Sequence, residues 1–557
     1  MKKVGFDSEQ VKFICIEKMP KRWRIILLLL YILVLEECLA YLISTSFMNT
    51  GYLPEWNLIL CCAFVATSLV YFFRKLPYQK VNIKSGIAFF FIAYLCVLTQ
   101  KSLVWVVSTF PLTDVNTVLF TLQMPIDGFV DYYVKKYIDF IPVDSLKITL
   151  LFYLFLILGL RKNCYRYCGL ICYFVCSICF LFYKLPVGEY IITYKNYNTQ
   201  HKLKNSILFE EEYIHPNKVI VTPPTSRRNL VLIFLESMET TFSDLTPELN
   251  LLAKQNLSFG EKRTPIGGGD DVFGTGFTFG AYVAKTAGIP IFSGNSYRNG
   301  YKGFKSLYDF LHEQNYRQYI VLGTSIGFAG TDQFLQNRGI DEIYDYENII
   351  TEYSIDRRIV ENRAFRSVSD RHTFSFTKSV LDTIKEPFSL TLFTIDTHTP
   401  DGMYDERCEN NFWGANESET YKSIVQCTSA LTADFIDYLK KKDFYENTTI
   451  VIVGDHNFMG KHLVQNKSNR KWINIFLNSV KVPVNSTHYF SDMDMYPTIL
   501  SALGYEIEGN RLGFGVNLFS NEKTLLEMYG ADSLNKLIRE VPSSIEFNRL
   551  LWAREHE

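Results

Sequence analysis

The hydrophobic pattern divides the chain in two. Up to about residue 185, apolar positions run together in five stretches: 25–43, 57–73, 86–107, 143–160 and 168–185. Each approaches the roughly 20 residues that cross a bilayer core as helix. The breaks between them carry charge or turn-forming residues. One such run fits a buried core helix, but five in succession predict a five-helix transmembrane domain over 1–185. The first run starts too far in, and lacks the small-residue cleavage pattern, for a secretory leader. Beyond it the pattern changes. The stretch 186–228, closing on "VTPPTSRRN", reads as a linker. From 229 onward, short apolar stretches ("NLVLIFLES", "YRQYIVLGTS", "FSLTLFTIDTH", "TTIVIVGDH", "WINIFLNS") alternate with helix-periodic ones such as "GFKSLYDFLHEQN" and "SALTADFIDYLKKKDF". That alternation predicts an α/β domain over 229–557 with a largely parallel central sheet, buried on both faces. No short internal repeat or low-complexity tract interrupts it.

Charge orients the first half. Lys2, Lys3, Lys12, Lys18, Lys21, Arg22 and Arg24 precede the first run, and "RKLPYQKVNIKSG" and "RKNCYRY" fill the second and fourth breaks. The first break, "STSFMNTGYLPEWN", has neither Lys nor Arg. Basic loops stay in the cytoplasm, so the N-terminus is expected inside and everything after 185 outside. The long outer link 108–142 mixes apolar residues with Asp and Lys at helical spacing. It reads as an amphipathic segment lying in the membrane interface, the alternative being an ordinary connecting loop. Glu36 and Glu37, within the first run, are costly in lipid and are expected to face other helices or water. A net charge of −1 leaves no bulk basic field for nucleic acid. Ten of the twelve cysteines lie before residue 180, which leaves Cys408 and Cys427 alone in the outer domain. A pair of this kind in an oxidising compartment reads as a disulfide, the alternative being two buried thiols.

The candidate chemistry sits at strand ends. In a parallel sheet, ligands gather beyond the carboxyl ends of the strands. There "NLVLIFLES" delivers Glu236, "FSLTLFTIDTH" delivers Asp396 and His398, and "TTIVIVGDH" delivers Asp455 and His456. A solvated strand tip accounts for one of these but poorly for three. Carboxylate and imidazole together suit Zn²⁺ or Mn²⁺. The Gly-rich stretch "GGGDDVFGTGFTFGAYVAKTAGIPIF" predicts a helix from Thr278 to a stop at Gly288. Its first hydroxyl would lie where free amides and the helix dipole favour an anion, unless Thr278 is only an N-cap.

The stretches "NLVLIFLES", "DLTPELNLLAKQNLSF", "GTGFTFGAYVAKTAGIPIF", "DTHTPDG", "GDH" and "SDMDMYPTILSALGY", in this order and spacing, resemble the alkaline phosphatase/sulfatase superfamily. The likeness is to its membrane-anchored transferase branch, which holds lipoteichoic acid synthases, phosphoethanolamine transferases and the phosphoglycerol transferases of osmoregulated periplasmic glucans. It is nearest the last of these. The resemblance implies an alkaline-phosphatase-like fold in which Glu236, Asp455 and His456 hold a divalent metal together with Thr278, the nucleophile. The metal would be Mn²⁺ or Zn²⁺, with Mg²⁺ a further option. His398 would lie near the transferred phosphate, and His462 would support a second metal or the substrate. His488 reads as structural. The loop "GTSIGFAGTD" (323–332) departs from lipoteichoic acid synthase, so its headgroup contacts are not carried over.

The implied activity is transfer of glycerol phosphate from phosphatidylglycerol to a periplasmic or surface glycan, through a covalent intermediate on Thr278. The implied setting is the bacterial inner membrane, with a monomeric enzyme's catalytic domain in the periplasm and no nucleic-acid partner. The alternatives are a phosphoethanolamine transferase, a sulfatase or phosphodiesterase, and a non-catalytic sensor. No sulfatase-type Cys/Ser-x-Pro-x-Arg motif lies near Thr278.

Overall fold

The computed structural model describes residues 83–109, 135, 137–150, 206–261, 265–292, 301–327, 330–336, 338–361, 363–399, 402–405, 417–460 and 470–552. The chain falls into two compact units, Met1–Val107 with Tyr137–Val187, and Ser108–Lys136 with Gly188–Glu557.

In the first unit, the run 86–107 lies within one continuous helix, α1 (Ile83–Thr109). Residues 137–150 are helical too. The Ser102 and Tyr137 hydroxyls hydrogen-bond at 2.6 Å, and Trp105 meets the Tyr137 ring edge-on at 5.6 Å. Ile87, Phe91, Ile92 and Leu95 on α1 are exposed, as are Ile138, Phe140, Val143, Leu146 and Leu150. Among the described residues no helix is long and apolar enough to cross a membrane. The five-helix anchor is therefore not shown. The runs 25–43, 57–73 and 168–185, and most of 143–160, lie outside the described residues.

The second unit is built on a seven-stranded sheet. Its strands are numbered here with a short ribbon strand, β1 (Val221–Thr222): β2 (Asn229–Leu235), β3 (Gly268–Gly269), β4 (Arg317–Leu322), β5 (Glu342–Tyr344), β6 (Phe388–Phe393), β7 (Thr448–Gly454) and β8 (Trp472–Leu477). Their order across the sheet is β3-β8-β7-β2-β6-β4-β5. The five strands from β7 to β5 are mutually parallel. The sheet is thus largely parallel, as the pattern implied, and mixed only at one edge: β8 runs antiparallel to β7, and β3 antiparallel to β8. The reason is in the connection. No helix-periodic stretch separates "GDH" from "WINIF", and without a crossover helix a neighbouring strand returns antiparallel.

Central strands β2 and β7 are buried along their whole length. Their alternating side chains feed two cores. Leu230, Leu232 and Phe234 face one with α2 (Ile207–Glu212), α4 (Thr278–Ala287) and α7 (Met495–Ala502). Val231, Ile233 and Leu235 face the other with α3 (Pro247–Gln255), α5 (Asp370–Leu381) and α6 (Glu417–Leu439). Period-two alternation between two apolar layers accounts for strands that are apolar on both faces beyond Asn229 in β2 and Thr448 and Thr449 in β7.

Part of the expected linker is folded. Leu208 and Phe209 of α2 are buried in the first core, and β1 pairs antiparallel with β9 (Glu506–Ile507). The glycines of "GGGDD" do permit close backbone approach, and the partner is β8: a Cβ on Gly269 would sit 2.3 Å from Trp472. Cys427, on α6, is disulfide-bonded; Cys408 lies outside the described residues.

Gly454 closes β7, and a Cβ there would lie 2.0 Å from the Met238 carbonyl oxygen. Backbone cannot move aside as a side chain can. Gly454→Ala is expected to cost about 1–3 kcal/mol of stability, read by denaturant unfolding of the full chain in detergent. An unchanged midpoint would contradict this packing.

Candidate active site

Strand register assembles the centre. β2 and β7 pair in parallel with Leu235 opposite Gly454. The next residue of each strand, Glu236 and Asp455, therefore emerges side by side, and His456 follows. The Asp455 amide continues the ladder to the Leu235 carbonyl at 3.1 Å. All three side chains are buried to within 1% of full.

Asp455 divides its carboxylate between two tasks. Oδ1 accepts the backbone amides of Ser237 and His456, both at 2.7 Å. Oδ2 is buried and has no hydrogen-bond partner among the described residues. Ser237 sits in the left-handed region (φ 52°), and its hydroxyl donates to Glu236 Oε1 at 2.6 Å. His456 Nδ1 faces the Asn457 carbonyl oxygen at 2.8 Å, so it carries the proton and Nε2 keeps its lone pair. Nε2 lies 3.6 Å from Glu236 Oε1 and 3.5 Å from Asp455 Oδ2.

Thr278 completes the group. It is the first residue of α4, preceded by Phe277 at the N-cap position, and no side chain caps this helix. Its hydroxyl instead donates to Glu236 Oε2 at 3.1 Å and lies 3.4 Å from His456 Nε2. Thr275, the other hydroxyl of "GTGFT", is fully buried and donates to Asp492 Oδ2 at 2.6 Å. It points away from the centre.

The donor set fits a divalent cation. Ligand atoms of Glu236, Asp455 and His456 lie within 4.8 Å of one another. Tetrahedral ligands about 2.0–2.2 Å from an ion stand roughly 3.3–3.6 Å apart, and the contacts above run from 3.1 to 3.6 Å. The orphaned Asp455 Oδ2 supplies the independent sign. Burial, then the neighbouring Asp455 charge, pushes the Glu236 carboxyl up to about 8. Two buried carboxylates of this kind are relieved by a cation.

The remaining candidates divide. The ring of His398 packs 4.0 Å from that of Phe365, and Nδ1 donates to the Thr399 carbonyl at 2.7 Å. Burial lowers its pKa to about 4, against the opposing pull of that hydrogen bond. Asp396 turns away to Arg363 at 2.5 Å and the Asp370 amide at 3.0 Å. His488 lies 3.3 Å from Glu527. His462 lies outside the described residues.

One part of the site was missed in the sequence. Lys285, two turns after Thr278 on α4, is fully buried and donates to the Asp455 carbonyl oxygen at 2.7 Å. It also pairs with Asp492 and stands 3.9 Å over the Trp472 ring. The signal was a lone Lys inside an otherwise uncharged helix.

Residues 228–505 match the Sulfatase family model. Phosphoglycerol transferase I of Citrobacter koseri is 30% identical over 371 residues, covering 62% of this chain and 45% of the relative. The chain spans less than half the length of the curated relatives it matches. Among solved structures, the lipoteichoic acid synthase LtaP of Listeria monocytogenes aligns at TM-score 0.42 and 17% identity, over 52% of this chain and 75% of that one. The lipooligosaccharide phosphoethanolamine transferase A of Neisseria meningitidis aligns at TM-score 0.45 and 13% identity, over 87% of this chain and 96% of that one.

Two outcomes are expected. Asp455→Ala removes the orphaned oxygen and should lower bound Mn²⁺ or Zn²⁺ at least tenfold, measured by elemental analysis of purified protein; unchanged content in this variant and in Glu236→Gln would refute the centre. His398 should titrate near pH 4 by NMR, against an ordinary 6.5. Its folded pKa is depressed, so unfolded chain binds the proton first, and this group's contribution to stability falls as pH drops from 6.5 toward 4.

Proposed function

We propose that this chain, whose residues 228–505 are a sulfatase-family domain, is a membrane-anchored enzyme that transfers glycerol phosphate from phosphatidylglycerol to a glycan hydroxyl, with Thr278 as nucleophile. The observation that carries the reading is the Thr278 hydroxyl converging with Glu236, Asp455 and His456 at the carboxyl end of the sheet. The name of the curated relatives supports the group transferred.

Glu236, Asp455, His456 and Thr278 would hold the cation, Mn²⁺ or Zn²⁺ with Mg²⁺ a further option. Such an ion, when bound, supplies positive charge that lowers the pKa of the Thr278 hydroxyl and stabilises charge on the phosphoryl oxygens. In the first displacement, Thr278 Oγ1 bonds to phosphorus, and the bond from phosphorus to the diacylglycerol oxygen breaks. The hydroxyl proton passes to the departing alcohol. Glycerol phosphate is left as an ester of Thr278, with diacylglycerol in the bilayer. In the second displacement, an acceptor hydroxyl bonds to phosphorus, the ester bond to Thr278 breaks, and a proton returns to Oγ1. His398 is neutral near pH 7 with its Nδ1 proton committed to the Thr399 carbonyl. Its Nε2 is therefore suited to take the acceptor proton. His462 belongs to the substrate side of the same reading.

The lipid donor gives the anchor its purpose, because tethering raises the effective concentration of the site at the bilayer. Exposed apolar side chains on α1 and along 137–150 support burial in lipid. The reading places the N-terminus in the cytoplasm and the catalytic domain in the periplasm, as a monomer. It pairs Cys427 with Cys408.

Incubation with phosphatidylglycerol and no acceptor should release diacylglycerol and leave glycerophosphate on the peptide holding Thr278, identified by mass spectrometry. Thr278→Ala should fold and bind metal yet lose at least a thousandfold in release, the scale for removing a nucleophile. An adduct on Thr275, or full turnover by Thr278→Ala, would overturn the assignment. Reporter fusions at Arg74 and Glu557 should report opposite sides of the membrane; the same side would break the five-helix topology.

A further inference from the structure

Beside Thr278 and Glu236 opens a partly open cleft with a cavity volume of about 40 Å³, running past the carboxyl ends of β4 and β6. Its walls alternate two chemistries. Phe279, Leu322, Phe393 and Ile395 supply apolar surface, and Thr324, Ser325 and Thr331 supply hydroxyls. Among the described lining residues only Glu236 is ionisable as an acid or base near neutral pH, and Glu236 is turned into the ligand group described above. The described walls of the cleft therefore offer no side-chain cation for a second phosphate and no spare carboxylate for an ammonium group.

Nor do the aromatic rings form an open cage for a cation. Phe393 is stacked on Phe234 at 4.9 Å and meets Tyr282 edge-on at 5.0 Å. Its π-face is thus already covered on one side. Ser325 Oγ accepts the Gly327 amide at 3.3 Å, which leaves its proton for a ligand oxygen. Thr394, by contrast, is committed to structure, accepting the Glu236 amide at 2.9 Å. Gly323 leads into the hydroxyl pair, and a Cβ there would lie 2.7 Å from Thr373 Oγ1. The backbone of the cleft wall is thereby packed against α5.

We propose that this cleft binds the substituent carried on the transferred phosphoryl group and selects an uncharged polyol, through the Thr324 and Ser325 hydroxyls, over an ethanolammonium group. The inference rests on the transferase reading above and deepens it. In an in-line displacement the attacking and leaving oxygens lie on opposite sides of phosphorus. The transferred substituent stays on phosphorus through both displacements, so it must occupy space next to Thr278 throughout. The cleft is that space. Neutral hydroxyls can exchange hydrogen bonds with a diol. An ammonium there would lose its hydration without gaining a counter-charge.

The full-length protein in mixed phosphatidylglycerol and phosphatidylethanolamine vesicles tests this through diacylglycerol release without acceptor. Thr324→Val with Ser325→Ala should raise the phosphatidylglycerol concentration that half-saturates this single-turnover release roughly tenfold, as expected for two hydrogen bonds. The preference over phosphatidylethanolamine should fall by the same factor, with metal content unchanged. Ser325→Asp should shift preference further toward phosphatidylethanolamine. On the unaltered protein, soluble glycerophosphoglycerol should inhibit release more strongly than glycerophosphoethanolamine, a measurement independent of how the variants fold. Equal inhibition, or an unchanged preference in folded variants while the native protein still turns over phosphatidylglycerol, would overturn the cleft assignment alone. A defect that appears only after a glycan acceptor is added, and so lies in the second displacement alone, would assign the hydroxyls to the acceptor sugar and also overturn it. No diacylglycerol from native protein and phosphatidylglycerol would remove the transferase reading and the cleft assignment with it.

Discussion

The register between two buried parallel strands carries the site. Pairing Leu235 with Gly454 places Glu236 and Asp455 next to each other where the sheet ends. A slip of one residue would turn every side chain of a strand to the opposite face, and here both faces are closed by core. Hydrophobic burial along "NLVLIFL" and "TTIVIVG" therefore fixes the position of two carboxylates that repel each other. The fold holds like charges together, and the energy for doing so comes from the apolar residues behind them.

Bringing the hydroxyl to those carboxylates is the work of α4. Its first residue is Thr278, and Lys285 lies seven residues on, two helical turns along nearly the same face. Lys285 grips the carbonyl of Asp455 from beneath, so the Thr278 hydroxyl and the Asp455 carboxylate are tied through one helix. The charge of Lys285 is balanced by Asp492, which also receives the Thr275 hydroxyl. Removing one member of a buried pair strands the other, at a cost of about 3–5 kcal/mol. The same arrangement disposes of Thr275 as a competing nucleophile, because its proton is already held by Asp492.

Much of this was legible in the sequence. Apolar runs with acids at their ends identified β2 and β7, and the Gly288 stop fixed the end of α4, which closes there in the left-handed region at φ 67°. What the sequence hid were relations between distant segments. The direction of β8 is a relation between strands, and an apolar strand reads the same in both directions. Asp396 resembled a ligand because it too follows a strand, yet Arg363 and the Asp370 amide draw it aside. Lys285 could not be paired with Asp492, more than two hundred residues away, from spacing alone. Within the stretch read as a linker, Leu208 and Phe209 of a short helix are buried in the core, a contact with distant segments that local composition does not announce.

The two sides of Thr278 differ in kind. On one side lie converging carboxylates and an imidazole lone pair, a surface that attracts positive charge. On the other lies a cleft of hydroxyls and hydrocarbon. A phosphodiester positioned between them would present its charged oxygens to the first and its alcohol substituent to the second. Orientation then follows from polarity alone, before any specific contact forms. His398, kept neutral by burial against Phe365, adds a lone pair without adding a charge to this field. An imidazolium in its place would compete with the cation for the same anionic oxygens. Its low pKa thus matters for the division of the site.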